Sequence, residues 1–234
     1  MKLNNLQKED VLQGQILLID KPLHWTSFQA VNKIRWLLKQ KFNLKKLKVG
    51  HAGTLDPLAT GLLVVCTGKF TKKTGTYQAA HKEYTGTITL GATTPSYDLE
   101  TGIDKTFDTA TLTEAAVKNT AKQFVGEVQQ RPPLFSALKK DGKRLYEYAR
   151  AGKTVAVELR LVTISAFEIT RTALPEVYFR IACSKGTYIR SIAHDFGKAL
   201  NNGAHLSALR RTKIGDFTVE NALTINQFET ALGR

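Results

Sequence analysis

The chain has 234 residues, 42% of them hydrophobic, which suits one large domain or one domain with an insertion and allows a real core. No apolar run reaches the length of a membrane helix and the N-terminal stretch has no apolar segment of signal-peptide type, so a helical span and a secretory leader are both unexpected. The formal net charge of +14 calls for a polyanionic partner, nucleic acid first, with a generally basic soluble surface as the plainer alternative. Clustering favours the first: Lys33 to Lys48 holds seven cations and no acid, Lys139 to Lys153 is rich in Lys and Arg, and Arg210, Arg211 and Lys213 form a third group. Cys66 and Cys183 lie in apolar runs without CxxC spacing and read as reduced core residues of a cytosolic protein, not as metal ligands.

In chain order, Gln15 to Asp20 reads as a first strand stopped by Lys21-Pro22. Thr26 and Ser27 are N-cap candidates for a helix through about Gln40, whose Val31, Ile34, Leu37 and Leu38 have helical spacing. A loop from His51 to Gly61 feeds the apolar run Leu62 to Cys66, a buried strand. Thr71 to Ala80 suits a helix, and Glu83 to Gly91 alternates as a half-buried strand does. Pro95 to Thr109 is loop-like, and Thr111 with Glu114 spells a capping box for a helix toward Phe124. Gln129 to Lys153 reads as an inserted excursion, with a short helix from Lys143 to Ala151 ended by Gly152. Val155 to Ile169 and Glu176 to Ala182 are long strands, expected to form a hairpin across Arg171 to Pro175. Thr187 to Leu200 is helical, Ala208 to Phe217 closes with a short strand, and Ala222 to Leu232 suits a terminal helix. Strands and helices without regular βαβ alternation predict an α+β fold with a mixed, mostly antiparallel sheet flanked by helices.

The loop His51-Ala-Gly-Thr-Leu-Asp-Pro-Leu-Ala-Thr-Gly61 carries one carboxylate, Asp56, among small and apolar residues. Asp56 is either a turn residue bonded to its own backbone or a charge kept for chemistry. Arg190 follows a strand-to-helix turn at Gly186, one turn into a helix where a cation gains nothing from the dipole; it is either a surface residue or the partner of a buried carboxylate or phosphate. Tyr84 by itself reads as an ordinary strand tyrosine, and His51 as either a core histidine or a ligand contact. The chain has no P-loop, no GxGxxG, no HxE with CxxC and no second acid fixed beside Asp56, which leaves nucleotide-cofactor, zinc-deaminase and two-metal chemistry without support.

The motifs, taken together and in order, resemble the TruB family of bacterial tRNA pseudouridine synthases. The matching segments are Ile16 to Pro22 with Thr26-Ser27, Gly50 to Gly61, Lys82-Glu-Tyr84 with Gly91 and Asp98, Phe135 to Lys139 with Gly142, Arg144, Tyr146-Glu147 and Ala149-Arg150, Cys183 to Arg190, and Gly203-Ala-His205 with Leu209-Arg-Arg211. Two positions depart from the family pattern: His24 stands where Gly is usual and Pro95 where Asp is usual. The resemblance implies a pseudouridine-synthase fold with a catalytic domain over residues 1–218, an RNA-gripping thumb at about 129–153, and a tail from 219 to 234 too short for a C-terminal RNA-binding domain of the PUA type. It implies isomerisation of the T-loop uridine conventionally numbered 55, after flipping of the base, with no cofactor and no metal. Asp56 would be the nucleophile or electrostatic catalyst, paired with Arg190, and Tyr84 would stack on the uracil. His51, Lys21, Tyr188 and Leu209 would contact the substrate, and Phe135, Lys139, Lys140, Lys143 and Arg144 would grip RNA from the thumb. The expected partner is the tRNA T-stem-loop, met in the cytoplasm by a monomer without guide RNA, obligate protein partner or membrane. Two other readings stay open: a tRNA-binding or folding module whose catalysis is secondary, and a guide-dependent synthase, against which the short C-terminus argues.

Overall fold

A computed structural model describes residues 6–233. They divide into two compact units: one runs up to Tyr84 and resumes at Leu209, the other is Thr85–Ala208.

In the first unit the elements are α1 (Lys8–Gln13), β1 (Ile16–Lys21), α2 (Ser27–Lys41), β2 (Val49–His51), β3 (Ala59–Thr67) and α3 (Thr74–Ala79), the last preceded by a 3₁₀ turn over Gly68–Lys73. Strand β3 is the hub. It is buried along nearly its whole length, as its unbroken apolar run requires. β1 pairs antiparallel with it from Ile16↔Cys66 to Lys21↔Gly61, and β2 from Val49↔Thr67 to His51↔Val65. Of the two N-cap candidates for α2, Thr26 takes the position and Ser27 is the first helical residue: the Thr26 hydroxyl accepts from Gln29 N–H at 3.0 Å and Gln29 Oε1 accepts from Thr26 N–H at 2.8 Å, completing a capping box. The apolar face Ala30, Val31, Ile34, Leu37 and Leu38 packs against Leu17, Ile19, Leu63 and Val65 of the sheet.

The second unit holds most of β4 (Lys82–Leu90), then β5 (Ala92–Thr93), β6 (Lys105–Thr106), α4 (Glu114–Lys122), β7 (Gly126–Gln130), β8 (Lys139–Lys140), β9 (Lys143–Arg144), α5 (Leu145–Arg150), β10 (Arg160–Ala173), β11 (Glu176–Cys183), α6 (Ile189–Ala199) and the start of β12 (Ala204–Ile214). Strands β4, β11, β10 and β7 lie side by side in that order, with β10 antiparallel to both neighbours. Phe124, Phe167, Phe179 and Phe196 meet edge to face or tilted, with centroids 5.4–6.1 Å apart, and pin α6 onto this sheet.

Several local expectations shift. The cap of α4 is Thr113, which accepts from Ala116 N–H, not Thr111. Strand β10 starts at Arg160, not Val155, and runs to Ala173, so the hairpin turn shortens to Leu174-Pro175. Gln129 and Gln130 are sheet residues, paired with Leu161 and Arg160, so the excursion away from the sheet covers 131–159. Thr187 does not cap α6; Tyr188 occupies the cap position, and the Thr187 hydroxyl donates back to Ser184 C=O at 2.9 Å.

At the C-terminal end, β12 returns to the first unit and pairs parallel with β3, Leu209↔Ala59 to Arg211↔Gly61. β13 (Phe217–Thr218) folds back on β12, β14 (Leu223–Thr224) pairs parallel with β1, and α7 (Ile225–Ala231) buries Ile225 and Phe228 in the same core as α2. Residues 219–233 are therefore packed, not trailing. Among the described residues no helix is long and apolar enough to cross a membrane.

Candidate active site

The loop between β2 and β3 presents Asp56, and four residues hold it. Ser27, the first residue of α2, grips the residue before Asp56 from both sides: its hydroxyl accepts from Leu55 N–H at 2.8 Å and donates to Leu55 C=O at 3.1 Å. Both Ser27 and Leu55 are buried, so water does not compete for these bonds. His24 N–H donates to Pro57 C=O at 2.8 Å. The backbone at His24 is left-handed, φ 64°, a conformation unstrained for glycine, the residue the resemblance expects at this position. Ala59 N–H donates to Asp56 C=O at 3.1 Å and turns the chain into β3.

Arg211 is the fourth holder. It is 1% exposed, the largest fully buried side chain described. Its Nε donates to Leu62 C=O at 2.8 Å and its Nη2 to Gly53 C=O at 3.1 Å, so one guanidinium brackets the loop at both ends. The two loop glycines have φ near +100°, Gly53 at 105° and Gly61 at 102°. At Gly61 a Cβ would overlap the backbone of Arg211, so the parallel β3–β12 approach itself demands glycine.

Lys21 closes the same corner. It is fully buried at the end of β1, and its Nζ donates to Pro22 C=O at 2.9 Å and Trp25 C=O at 2.6 Å. Burial pulls the ammonium down to about 8; the Asp56 and Asp20 carboxylates oppose that and the Arg211 guanidinium adds to it. His51 is half-buried at the loop's entry, with Nδ1 buried and without a hydrogen-bond partner among the described residues. Burial lowers the pKa of the ring and the Arg211 guanidinium adds to that, against an opposing pull from the Gly53 backbone. Leu209 on β12 is half-buried opposite Ala59, and Tyr84 on β4 is buried.

In the second unit Arg190 is 4% exposed, which removes the surface reading. Its Nη1 donates to Phe135 C=O at 2.9 Å and Ser96 C=O at 3.3 Å, and its Nε lies 3.5 Å from Asp98 Oδ2. Asp98 is 5% exposed, and its Oδ1 accepts from Glu100 N–H at 3.0 Å. Sequence reasoning matched Asp98 to a motif but gave it no role; the signal was an acid in a polar loop otherwise without purpose. Ser27, an N-cap candidate by sequence, and Arg211, one of a basic cluster, instead anchor the loop that carries Asp56. Gln130 fixes the start of α6: its Oε1 accepts from Tyr188 N–H at 2.7 Å and its Nε2 donates to Tyr188 C=O at 3.0 Å. The excursion is built on a tight hairpin, β8 to β9 across Asp141-Gly142, both with positive φ. Lys139, Lys143 and Arg144 are exposed there, Phe135 is half-buried, and Lys140 is held by Ala156 C=O at 2.7 Å.

The family model for TruB family pseudouridylate synthases (N-terminal domain) matches residues 39–189, and the tRNA pseudouridylate synthase B C-terminal domain matches 190–234. The chain is 64% identical to a tRNA pseudouridine synthase B of Flavobacterium johnsoniae over 96% of its own length and 98% of the relative's. It is 52% identical to one from Bacteroides fragilis, over 92% of this chain and 93% of that one. Among solved structures it is similar to a Cbf5-Nop10-Gar1 complex (TM-score 0.70, 32% identity, 94% of this chain and 54% of the other) and to an H/ACA RNP bound to a substrate RNA containing 2'-deoxyuridine (TM-score 0.68, 29% identity, 96% and 55%). The chain thus spans little more than half of those two solved chains. The strand-to-loop frame around Asp56, the full-length identity and a family model covering well over half of the residues lead to one conclusion: this chain belongs to the TruB family of pseudouridylate synthases.

Proposed function

We propose that the protein is a tRNA pseudouridine synthase that isomerises the T-loop uridine at position 55, acting alone on tRNA in the cytoplasm. One observation carries this reading: a relative named tRNA pseudouridine synthase B is 64% identical over 98% of its length, with no large segment left over.

The reaction breaks the N1–C1′ bond of uridine, turns the base, joins C5 to C1′, moves the C5 proton to solvent or base and leaves N1 protonated. In this reading the flipped uridine meets Asp56, whose carboxylate attacks C1′ or stabilises charge there while the base is free. Arg190 is the cation proposed to serve that carboxylate. Tyr84 stacks on the uracil, Leu209 packs on its other side, and His51 fills the place the base has left. Lys21 and Tyr188 border the pocket, and Phe135, Lys139, Lys140, Lys143 and Arg144 hold the RNA. A loop fixed by Ser27 and Arg211 suits this role, because a carboxylate that must meet one carbon gains from not moving.

The test is modification mapping of a T-arm transcript incubated with the purified protein alone. Pseudouridine at the T-loop uridine is expected. Asp56→Asn, checked for deamidation, should bind the transcript and yield no product. Absence of pseudouridine with the native protein would favour the folding-module reading, and a need for added guide RNA would favour the guide-dependent one.

A further inference from the structure

The seven cations between Lys33 and Lys48 have no place in the pocket just described. Two are committed elsewhere. Lys33 is paired with Glu229 at 3.0 Å, and Arg35 donates to Asn32 Oδ1 and to Val49 C=O at 3.1 Å. Lys39, Lys41, Lys45, Lys46 and Lys48 form no ion pair among the described residues, whereas Lys118, Arg150, Arg180 and Arg210 each have a carboxylate. Helix-dipole compensation accounts for Lys39 and Lys41, in the last turn of α2. It does not reach Lys45, Lys46 and Lys48.

The segment carrying those three is held in place. Asn43 is left-handed, φ 48°, and Leu44 N–H donates to Lys39 C=O at 3.0 Å, a Schellman ending for α2. Phe42, Leu44 and Leu47 pack on the core below. Gly68 N–H donates to Lys48 C=O at 2.9 Å, and Arg35 ties down the next carbonyl. The apolar residues therefore point inward while Lys45, Lys46 and Lys48 are exposed. An uncompensated row of ammonium groups on a fixed backbone suits the phosphates of a nucleic-acid strand. Position adds to this. Lys48 is three residues from His51, so their Cα atoms are at most roughly 11 Å apart, near enough for RNA held at the 51–61 loop to reach the lysines.

We propose that Lys45, Lys46 and Lys48 form a phosphate-binding strip that grips the backbone of the RNA stem carrying the target uridine. The proposal rests on the synthase reading above.

The test is steady-state kinetics on T-arm transcripts and a binding titration at 50 and 200 mM salt, for the native protein and the triple variant Lys45→Gln, Lys46→Gln, Lys48→Gln. A control variant, Lys105→Gln, Lys118→Gln, Lys122→Gln, removes the same charge from exposed lysines elsewhere. Losing three phosphate contacts flattens the salt dependence, so the native protein should lose about 20- to 40-fold more affinity than the triple variant over that salt range. KM should rise by about tenfold or more, with kcat at saturating RNA carrying little of the loss. The control should keep the native salt slope. Equal slopes for native and triple variant, or the same flattening in the control, overturn the strip and leave only general charge. No product from the native protein instead defeats the synthase reading, whatever the slopes.

Discussion

Ser27→Ala isolates what the loop anchor does. The hydroxyl makes two bonds to Leu55, at 2.8 and 3.1 Å, between residues that are 2% and 3% exposed. Removing it orphans a buried N–H and weakens a buried carbonyl, a loss of about 2–4 kcal/mol in total. Alanine at the first position of α2 is a good helix former, so the helix itself loses nothing. Leu55 precedes Asp56, and a carboxylate displaced by about 1 Å costs roughly a hundredfold in rate. The comparison is Thr26→Ala, one residue earlier. It deletes the α2 cap at about 1 kcal/mol but leaves Leu55 anchored. Urea unfolding and single-turnover pseudouridine formation, measured on both variants, separate the two effects. Ser27→Ala should lose stability and 10- to 100-fold in single-turnover rate, and Thr26→Ala stability alone. Equal rate losses in the two, or a native rate in Ser27→Ala at unchanged stability, would refute the anchor.

Three further outcomes are expected. Gly61→Ala places a Cβ into the Arg211 backbone at φ 102°, so it should lower the unfolding free energy by several kcal/mol or abolish soluble expression, as read by urea titration. Lys21 has a folded pKa of about 8 against an ordinary 10.5, so between those values the unfolded chain holds more protons and stability rises with pH, by up to about 3 kcal/mol. The cost is fully present below about pH 8, and Lys21→Met should flatten this rise; identical slopes in urea melts from pH 7 to 10 would disprove the assignment. Asp98→Ala takes a carboxylate away from the buried Arg190 guanidinium and should destabilise by up to about 3–5 kcal/mol, with Asp98→Asn losing less, again by urea melts.

Much of the framework was legible from short-range rules. Period-2 and period-3.6 patterns placed β1, α2, β3, β4, β11 and α6 within a few residues. The cap of α2 was narrowed to Thr26 or Ser27, of which Thr26 takes it, and the φ of Gly53, Gly61, Gly152 and Gly186 follows from glycine's freedom. The errors are also local in kind. Thr111 and Thr113 both offer a hydroxyl ahead of the same helix, and only the observed backbone decides which one closes on Ala116. Val155 to Leu159 has a strand's composition, but β7 ends its pairing at Arg160, so those residues have no partner strand there.

What the sequence by itself determined was the list of chemical groups and the stiffness of the loop that carries Asp56, because steric limits at glycine and proline act within a residue or two. What only the tertiary structure decided was which groups serve one another. Ser27 reaches Leu55 across 28 residues, Arg190 finds Ser96 across 94, and Arg211 returns to Leu62 across 149 and Gly53 across 158. A buried cation takes whichever acceptors the packed chain brings within about 3 Å, and no rule of spacing names them in advance.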